Sequence, residues 1–386
     1  MVTALYILLH IILCVIFVFG SAKISKCNNK EYWRKCIPLI VAFTLEEGLR
    51  WGRDIDWTLY YGVYENIGGK DFDIEFEFLF QFLFKTMAIA GLPYCMFITF
   101  CSFMWIFSLC YFVRPYKKCI RFFLPICLLY FTVMVSNTFR WYLAMSFFLM
   151  ALRNLLDGRK RIGFILLICT LGTHTAAFFM SMIGVVFVYT LKKRLLLKPI
   201  VVITISLVFI FLFNIDSIQN YMNIFKFFST ERFDNYFNNE EQWFYSETRK
   251  GDRKNLIEYI LLMIPFYIVL FSTYHLQLKK TIIDGELFYS LLTVLILFRS
   301  LTSGIELLQR MSMYYEFVFV LLSSYVFVFR NNIIGSTRFL LIIVVLFILY
   351  KGYIGYFKLY ENEELMKYIW SSDLVSPVKA RSLYKL

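Results

Sequence analysis

Charge is scarce in this chain. Of its 386 residues, 17% are Asp, Glu, Lys or Arg, against 60% hydrophobic and 20% aromatic. A soluble fold of that length cannot hide so much apolar side chain, because a large share of any folded surface stays in contact with its solvent. An ordinary soluble enzyme or binding module is therefore excluded, and lipid is the solvent that fits. Strict apolar/polar alternation is also missing, which excludes a membrane barrel. No Cys-x-x-Cys pair occurs, and the nine cysteines are an odd number, so a disulfide framework is not expected. Most, such as Cys14, Cys110, Cys127 and Cys169, lie within apolar runs and read as small hydrophobes. Met1 to Gly20 lacks a basic stretch ahead of its apolar core, so it reads as a retained first span and not a cleaved signal. Neither an internal repeat of 20 to 50 residues nor a low-complexity linker is present.

What the chain does have is a series of continuous apolar runs. Each span needs roughly 20 residues to cross a hydrocarbon core about 30 Å thick. The expected fold is an all-α polytopic membrane protein of about 11–12 transmembrane helices. The runs are 4–19, 37–49, 94–113, 122–135, 139–156, 162–172, 175–191, 199–213, 256–275, 282–298, 311–329 and 339–350. The net charge of +13 does not call for nucleic acid, because the Lys and Arg cluster between the runs. Lys23–Lys35, Arg114–Arg121, Asp157–Arg161, Lys192–Arg194 and Lys279–Lys280 mark the cytoplasmic side, which puts the N-terminus outside. Acidic residues support the same orientation independently: only Glu31, Asp157, Asp284 and Glu286 of the 27 fall on the cytoplasmic side. Residues 78–92 carry Lys85 in mid-segment and, if they spanned, would turn every later basic loop outward. They are expected to be a re-entrant or interfacial helix. The chain reads as one transmembrane domain over 1–386, with an external motif segment at 50–93 and an external loop insertion at 214–255.

Several ionisable residues are not explained by orientation. Arg50 and Arg53 begin the first external segment, Arg140 and His174 each sit between two apolar runs, Arg232 lies in the large external loop, and Arg299 and Arg310 flank an external turn. An intramembrane Arg costs about 2.5–3.5 kcal/mol on insertion scales, so an acidic partner or an anionic ligand must offset it. Arg also suits bidentate phosphate contacts. Each position has a plainer explanation as well. An Arg at a span end snorkels to head groups, Glu46 and Glu47 are candidate partners for Arg50, and Glu306 and Glu316 are candidate partners for Arg310. Convergence of several such positions on one face of the membrane favours a polyanion site.

Four stretches carry a resemblance. Leu49-Arg50-Trp51-Gly52-Arg53-Asp54-Ile55-Asp56-Trp57-Thr58-Leu59-Tyr60-Tyr61 resembles the first external motif of the EpsG family. Asn137-Thr138-Phe139-Arg140-Trp141-Tyr142-Leu143-Ala144 is similar to its second, with Trp141 where Gln is common. His174-Thr175-Ala176-Ala177-Phe178 is similar to the third, and Gln309-Arg310 with Tyr314 and Tyr315 to a late Arg-to-Tyr motif. The resemblance covers most of the chain through the order and spacing of these motifs.

The resemblance implies a membrane polysaccharide polymerase, related in role to the Wzy-type O-antigen and capsule polymerases, in a bacterial inner membrane. The implied reaction moves a growing glycan from undecaprenyl pyrophosphate onto a sugar hydroxyl of a new lipid-linked repeat unit at the outer face. A flippase and a chain-length regulator are the implied protein partners. A pyrophosphate leaving group needs cationic stabilisation, which Arg50, Arg53, Arg140, Arg232, Arg299 and Arg310 can supply without a cofactor. The acceptor hydroxyl needs a base; Asp56 and His174 are the candidates, with Asp56 alternatively pairing with a nearby Arg. Tyr60, Tyr61, Trp57 and Trp141 can stack on sugars, or belong to the interfacial aromatic belt. No metal is expected, although Asp54-Ile55-Asp56 has the spacing of a metal motif. The rival readings are a flippase for the same lipid-linked glycan, an O-antigen ligase and a membrane O-acyltransferase. A flippase is expected to show matched broken helices in internal repeats, and the cytoplasmic loops offer an acyl donor little beyond Lys and Arg.

Overall fold

The computed structural model describes residues 2–53, 55–66, 76–131, 138–189, 197–213, 256–278, 283–303, 311–333, 335–358, 366–371 and 374. Within them the chain is helical, as expected. The helices are α1 Val2–Lys26, α2 Tyr32–Gly48, α3 Ile55–Glu65, α4 Phe78–Ile89, α5 Tyr94–Val113, α6 Lys117–Tyr130, α7 Phe139–Leu156, α8 Lys160–Thr173, α9 Thr175–Tyr189, α10 Pro199–Phe213, α11 Leu256–Leu278, α12 Gly285–Leu301, α13 Glu316–Val328 and α14 Gly335–Tyr353. Four stretches are long and apolar enough to cross a membrane by length and composition alone: Thr3–Lys26, Tyr94–Val113, Leu256–Leu276 and Thr337–Tyr356. Most of the other helices are shorter; at about 1.5 Å per residue, 15 residues reach only about 22 Å. Several begin inside the basic loops and not at the first apolar residue. Lys and Arg are good helix formers, so hydropathy marks the apolar part of a helix and not its start.

The contacts divide the chain into two compact units, Met1–Lys192 with Ser323–Arg330 and Ile342–Leu386, and Lys193–Leu322 with Asn331–Leu341. In the first unit α1 packs on α2 and α6, α2 on α5, α5 on α7, and α7 on α8 as a tight hairpin. The hairpin turns at Asp157-Gly158-Arg159, where Gly158 takes φ +77°, a left-handed conformation that an L side chain rarely adopts. Gly48 permits the close approach of α2 to α5; a Cβ there would lie 2.7 Å from the Thr99 Cα. In the second unit α10, α11 and α12 pack on one another. Outward faces are apolar: Leu8, Ile11, Val15 and Phe19 of α1, and Phe339, Ile342 and Leu346 of α14, are all exposed. A lipid solvent makes such faces stable.

Helix α4 has 12 residues, about 18 Å, too short to cross alone, and its Lys85 is exposed. Gly91, at φ +71°, and Pro93, the cap residue of α5, turn the chain between α4 and α5.

Candidate functional site

Two clusters of charged side chains among the described residues of the first unit contain the residues singled out in the sequence. The first is built where α1 and α2 meet the loop at 49–53. Arg50 and Arg53 are 0% and 1% exposed. Arg50 Nη1 donates to Glu47 Oε2 and to the Glu47 carbonyl, both at 2.8 Å. Arg53 Nη1 lies 3.5 Å from Glu46 Oε1 and 4.0 Å from Glu47 Oε2, and its guanidinium sits over the rings of Tyr6 and Tyr368. His10 of α1 completes the group, with Nε2 3.0 Å from Glu46 Oε1. A strap from the C-terminal region closes over it. Residues 49–51 and 367–369 bond through Trp51 N to Lys367 O at 3.0 Å and Ile369 N to Leu49 O at 3.1 Å, and the Tyr368 hydroxyl donates to Glu46 Oε1 at 2.8 Å. His10, Glu46 and Glu47 bring three ligand-type atoms within 4.8 Å of one another, but two guanidinium groups already balance the two carboxylates. That charge count makes the cluster a poor cation site and a self-contained ion-pair network.

The second cluster is half-open, and three separate chain segments build it. Arg140 stands in the first turn of α7. Its Nε donates to the Tyr60 hydroxyl at 2.8 Å and its Nη1 to Glu77 Oε2 at 2.9 Å. Glu77 caps the start of α4, and its other oxygen accepts from Thr175 N at 3.3 Å and Thr175 Oγ1 at 3.5 Å. The Thr175 amide opens α9, so the carboxylate faces the positive end of that helix. His174 sits in extended backbone, φ −158° and ψ 113°, in the break between α8 and α9. The Arg140 side chain is 27% exposed and that of Glu77 13%. Burial alone would raise the Glu77 carboxyl, but the Arg140 charge, with help from His174 and the Thr175 amide, holds it below the usual carboxylate value. Burial and the Arg140 charge push His174 down to about 4 against the opposing pull of Glu77. At neutral pH the group is therefore Arg⁺, Glu⁻ and a neutral imidazole.

The sequence-based candidates divide between these places. Arg140, Tyr60 and His174 come together around Glu77; Arg50 and Arg53 come together in the closed network, with the partners Glu46 and Glu47 that the sequence offered. Arg299 lies in the second unit, ion-paired with Glu316 and set over the Phe266 ring at 5.1 Å. Glu316, a candidate partner for Arg310 in the sequence, pairs here with Arg299. Arg232, Arg310, Gln309, Asn137, Asp54 and the loop 214–255 lie outside the described residues, and Asp56 is described only as a backbone position one turn before Tyr60 on α3. The aromatic expectations need correction. Trp57 and Trp141 are core, 1% and 5% exposed. Tyr60 is enclosed by Phe76, Phe80, Phe84 and Phe139, and offers its hydroxyl and not a ring face. Tyr61 stacks on Trp57 at 5.1 Å and 9° and stays partly exposed.

Sequence reasoning passed over Glu77, His10 and Tyr368. Glu77 was one acid among several in a polar loop, and nothing in its spacing links it to residues 140 and 175. His10 had a readable signal: it is an ionisable side chain inside a 25-residue apolar helix.

A helical chain with four apolar helices long enough to cross a membrane and with apolar outer faces is an all-α polytopic membrane protein. The sequence profile of the EpsG family matches residues 32–370, and the chain belongs to that family. Membership assigns it to membrane-bound polysaccharide biosynthesis. No curated protein and no solved structure matches the chain.

Proposed function

We propose that this protein polymerises undecaprenyl-pyrophosphate-linked oligosaccharide units at the outer face of a bacterial inner membrane, with its N-terminus on that side. The observation that carries the reading is the half-open Arg140 cluster. A guanidinium steadied from two sides and partly exposed suits the developing charge of a diphosphate leaving group. Family membership and the basic loops of the opposite face support the same reading.

In this mechanism Arg140 meets the diphosphate of the donor. The Tyr60 hydroxyl fixes the guanidinium plane through Nε and Glu77 holds Nη1, which leaves the Nη2 edge for a phosphate oxygen. His174, neutral at working pH, orients the acceptor sugar through a hydrogen bond from its imidazole N–H, and Asp56 serves the acceptor side from α3. Tyr61 offers its exposed edge to a sugar. Arg50 and Arg53 support this site by holding the 49–53 loop in place.

The test is gel electrophoresis of surface polysaccharide from cells deleted for the gene, with and without complementation. A ladder that collapses to one repeat unit, still exported and attached, is the expected result. Accumulation of lipid-linked units inside the cell would assign the protein to transport and remove the catalytic roles.

A further inference from the structure

The two oxygens of Glu77 have different partners. Oε2 takes Arg140 Nη1 at 2.9 Å, and Oε1 takes the Thr175 amide and hydroxyl at 3.3 and 3.5 Å. Losing one partner does not require losing the other. The Arg140 side also has an open edge: Nη2 makes no hydrogen bond among the described residues, and the side chain is 27% exposed. A phosphate oxygen can approach there first. Once seated, a diphosphate outcompetes a single carboxylate for the fork, because it carries more charge and binds it bidentately.

We propose that a diphosphate group displaces the Glu77 carboxylate from Arg140, and that the released carboxylate, still tethered at Thr175, takes the proton of the acceptor sugar hydroxyl. The inference rests on the polymerase reading and adds a catalytic residue to it. The bond from the donor sugar C1 to the phosphate oxygen breaks, and its electron pair leaves with the diphosphate on Arg140. The acceptor oxygen forms the new bond to C1, its proton passes to Glu77, and Glu77 later releases it to water. The arrangement orders the reaction: the base is occupied by Arg140 until a donor arrives. Burial then acts on the freed carboxylate without the opposing Arg140 charge and makes it a stronger base.

Two measurements on the purified full-length protein test this: calorimetric binding of inorganic pyrophosphate, and chain elongation from lipid-linked repeat units. Glu77→Gln removes the competing charge and the base together. It should bind pyrophosphate about tenfold more tightly than wild type and elongate about 100-fold more slowly or worse. Weaker pyrophosphate binding by Glu77→Gln would show that Glu77 merely braces Arg140, and near-normal elongation would show that it is not the base; either overturns the proposal. If wild type itself does not elongate while Glu77→Gln still tightens pyrophosphate binding, the polymerase reading and the base role fall and only the exchange at Arg140 survives. Should Glu77→Gln not fold, Thr175→Val is diagnostic. It removes the hydroxyl tether, so pyrophosphate affinity should stay and elongation should drop about fivefold; unchanged elongation would again overturn the base role.

Discussion

Arg50 and Glu47 form an ion pair at 2.8 Å with both side chains withdrawn from solvent, 0% and 2% exposed. The pair lies one helical turn apart at the end of α2, and the Arg50 backbone is bridged to Tyr368. Breaking it strands a buried charge. Glu47→Gln or Arg50→Met alone should destabilise the detergent-solubilised protein by about 3–5 kcal/mol. The double variant should recover much of that loss in a thermal unfolding series, because neither charge is then left alone.

The strap is the second point of leverage. Tyr368→Phe deletes the hydroxyl that meets Glu46 at 2.8 Å and leaves the ring over Arg53. A buried carboxylate oxygen loses a donor, at a cost of about 1–3 kcal/mol. A lowered melting temperature with normal membrane insertion is the expected observation.

Arg140 should behave differently from the buried arginines. It is half-open, so Arg140→Ala should leave insertion and thermal stability near wild type and abolish long-chain polymer in complemented cells. Arg140→Lys keeps the charge but loses the planar fork, and should restore little.

Tyr60→Phe keeps the ring among its four Phe neighbours and removes the acceptor for Arg140 Nε. One hydrogen bond to a charged group is worth about 1.5–3 kcal/mol. Elongation should fall about 10- to 100-fold with little change in stability.

His174 supplies a pH dependence. Its folded pKa of about 4 lies below the ordinary value of 6.5, so the unfolded chain binds its proton more readily than the folded one. The sign follows: above pH 6.5 the group is neutral in both states and adds nothing, and as pH falls from 6.5 toward 4 the folded state loses stability. A His174→Gln variant should lose less of its melting temperature over that interval than wild type, and an identical acid profile would remove His174 from the account.

Much of the fold was legible in composition. Apolar runs between basic loops give away helices such as α1 and α5, and the short run around Lys85 forms the short helix α4. The site was legible only in part. Arg140, Tyr60 and His174 stand out because ionisable and polar groups are costly in lipid, and Glu46 and Glu47 were visible as local partners three and four residues from Arg50. Glu77 was not visible, because its partners lie 63 and 98 residues away and only the packing of α4 against α8 brings them together. The same holds for Tyr368, whose approach to Arg50 is a tertiary bridge with no local signal. Burial of Trp57 and Trp141 also depends on packing, since an aromatic near a span end reads alike whether it faces lipid, sugar or core.

A polymerase must elongate lipid-linked glycans without any other protein. The most direct measurement places the purified protein in liposomes with lipid-linked repeat units and follows products by mass spectrometry. Lipid-linked chains of two or more units should form, with one undecaprenyl diphosphate released per bond, and neither should appear with Arg140→Ala. Repeat units that cross the bilayer without growing, or that grow equally well with Arg140→Ala, would contradict it.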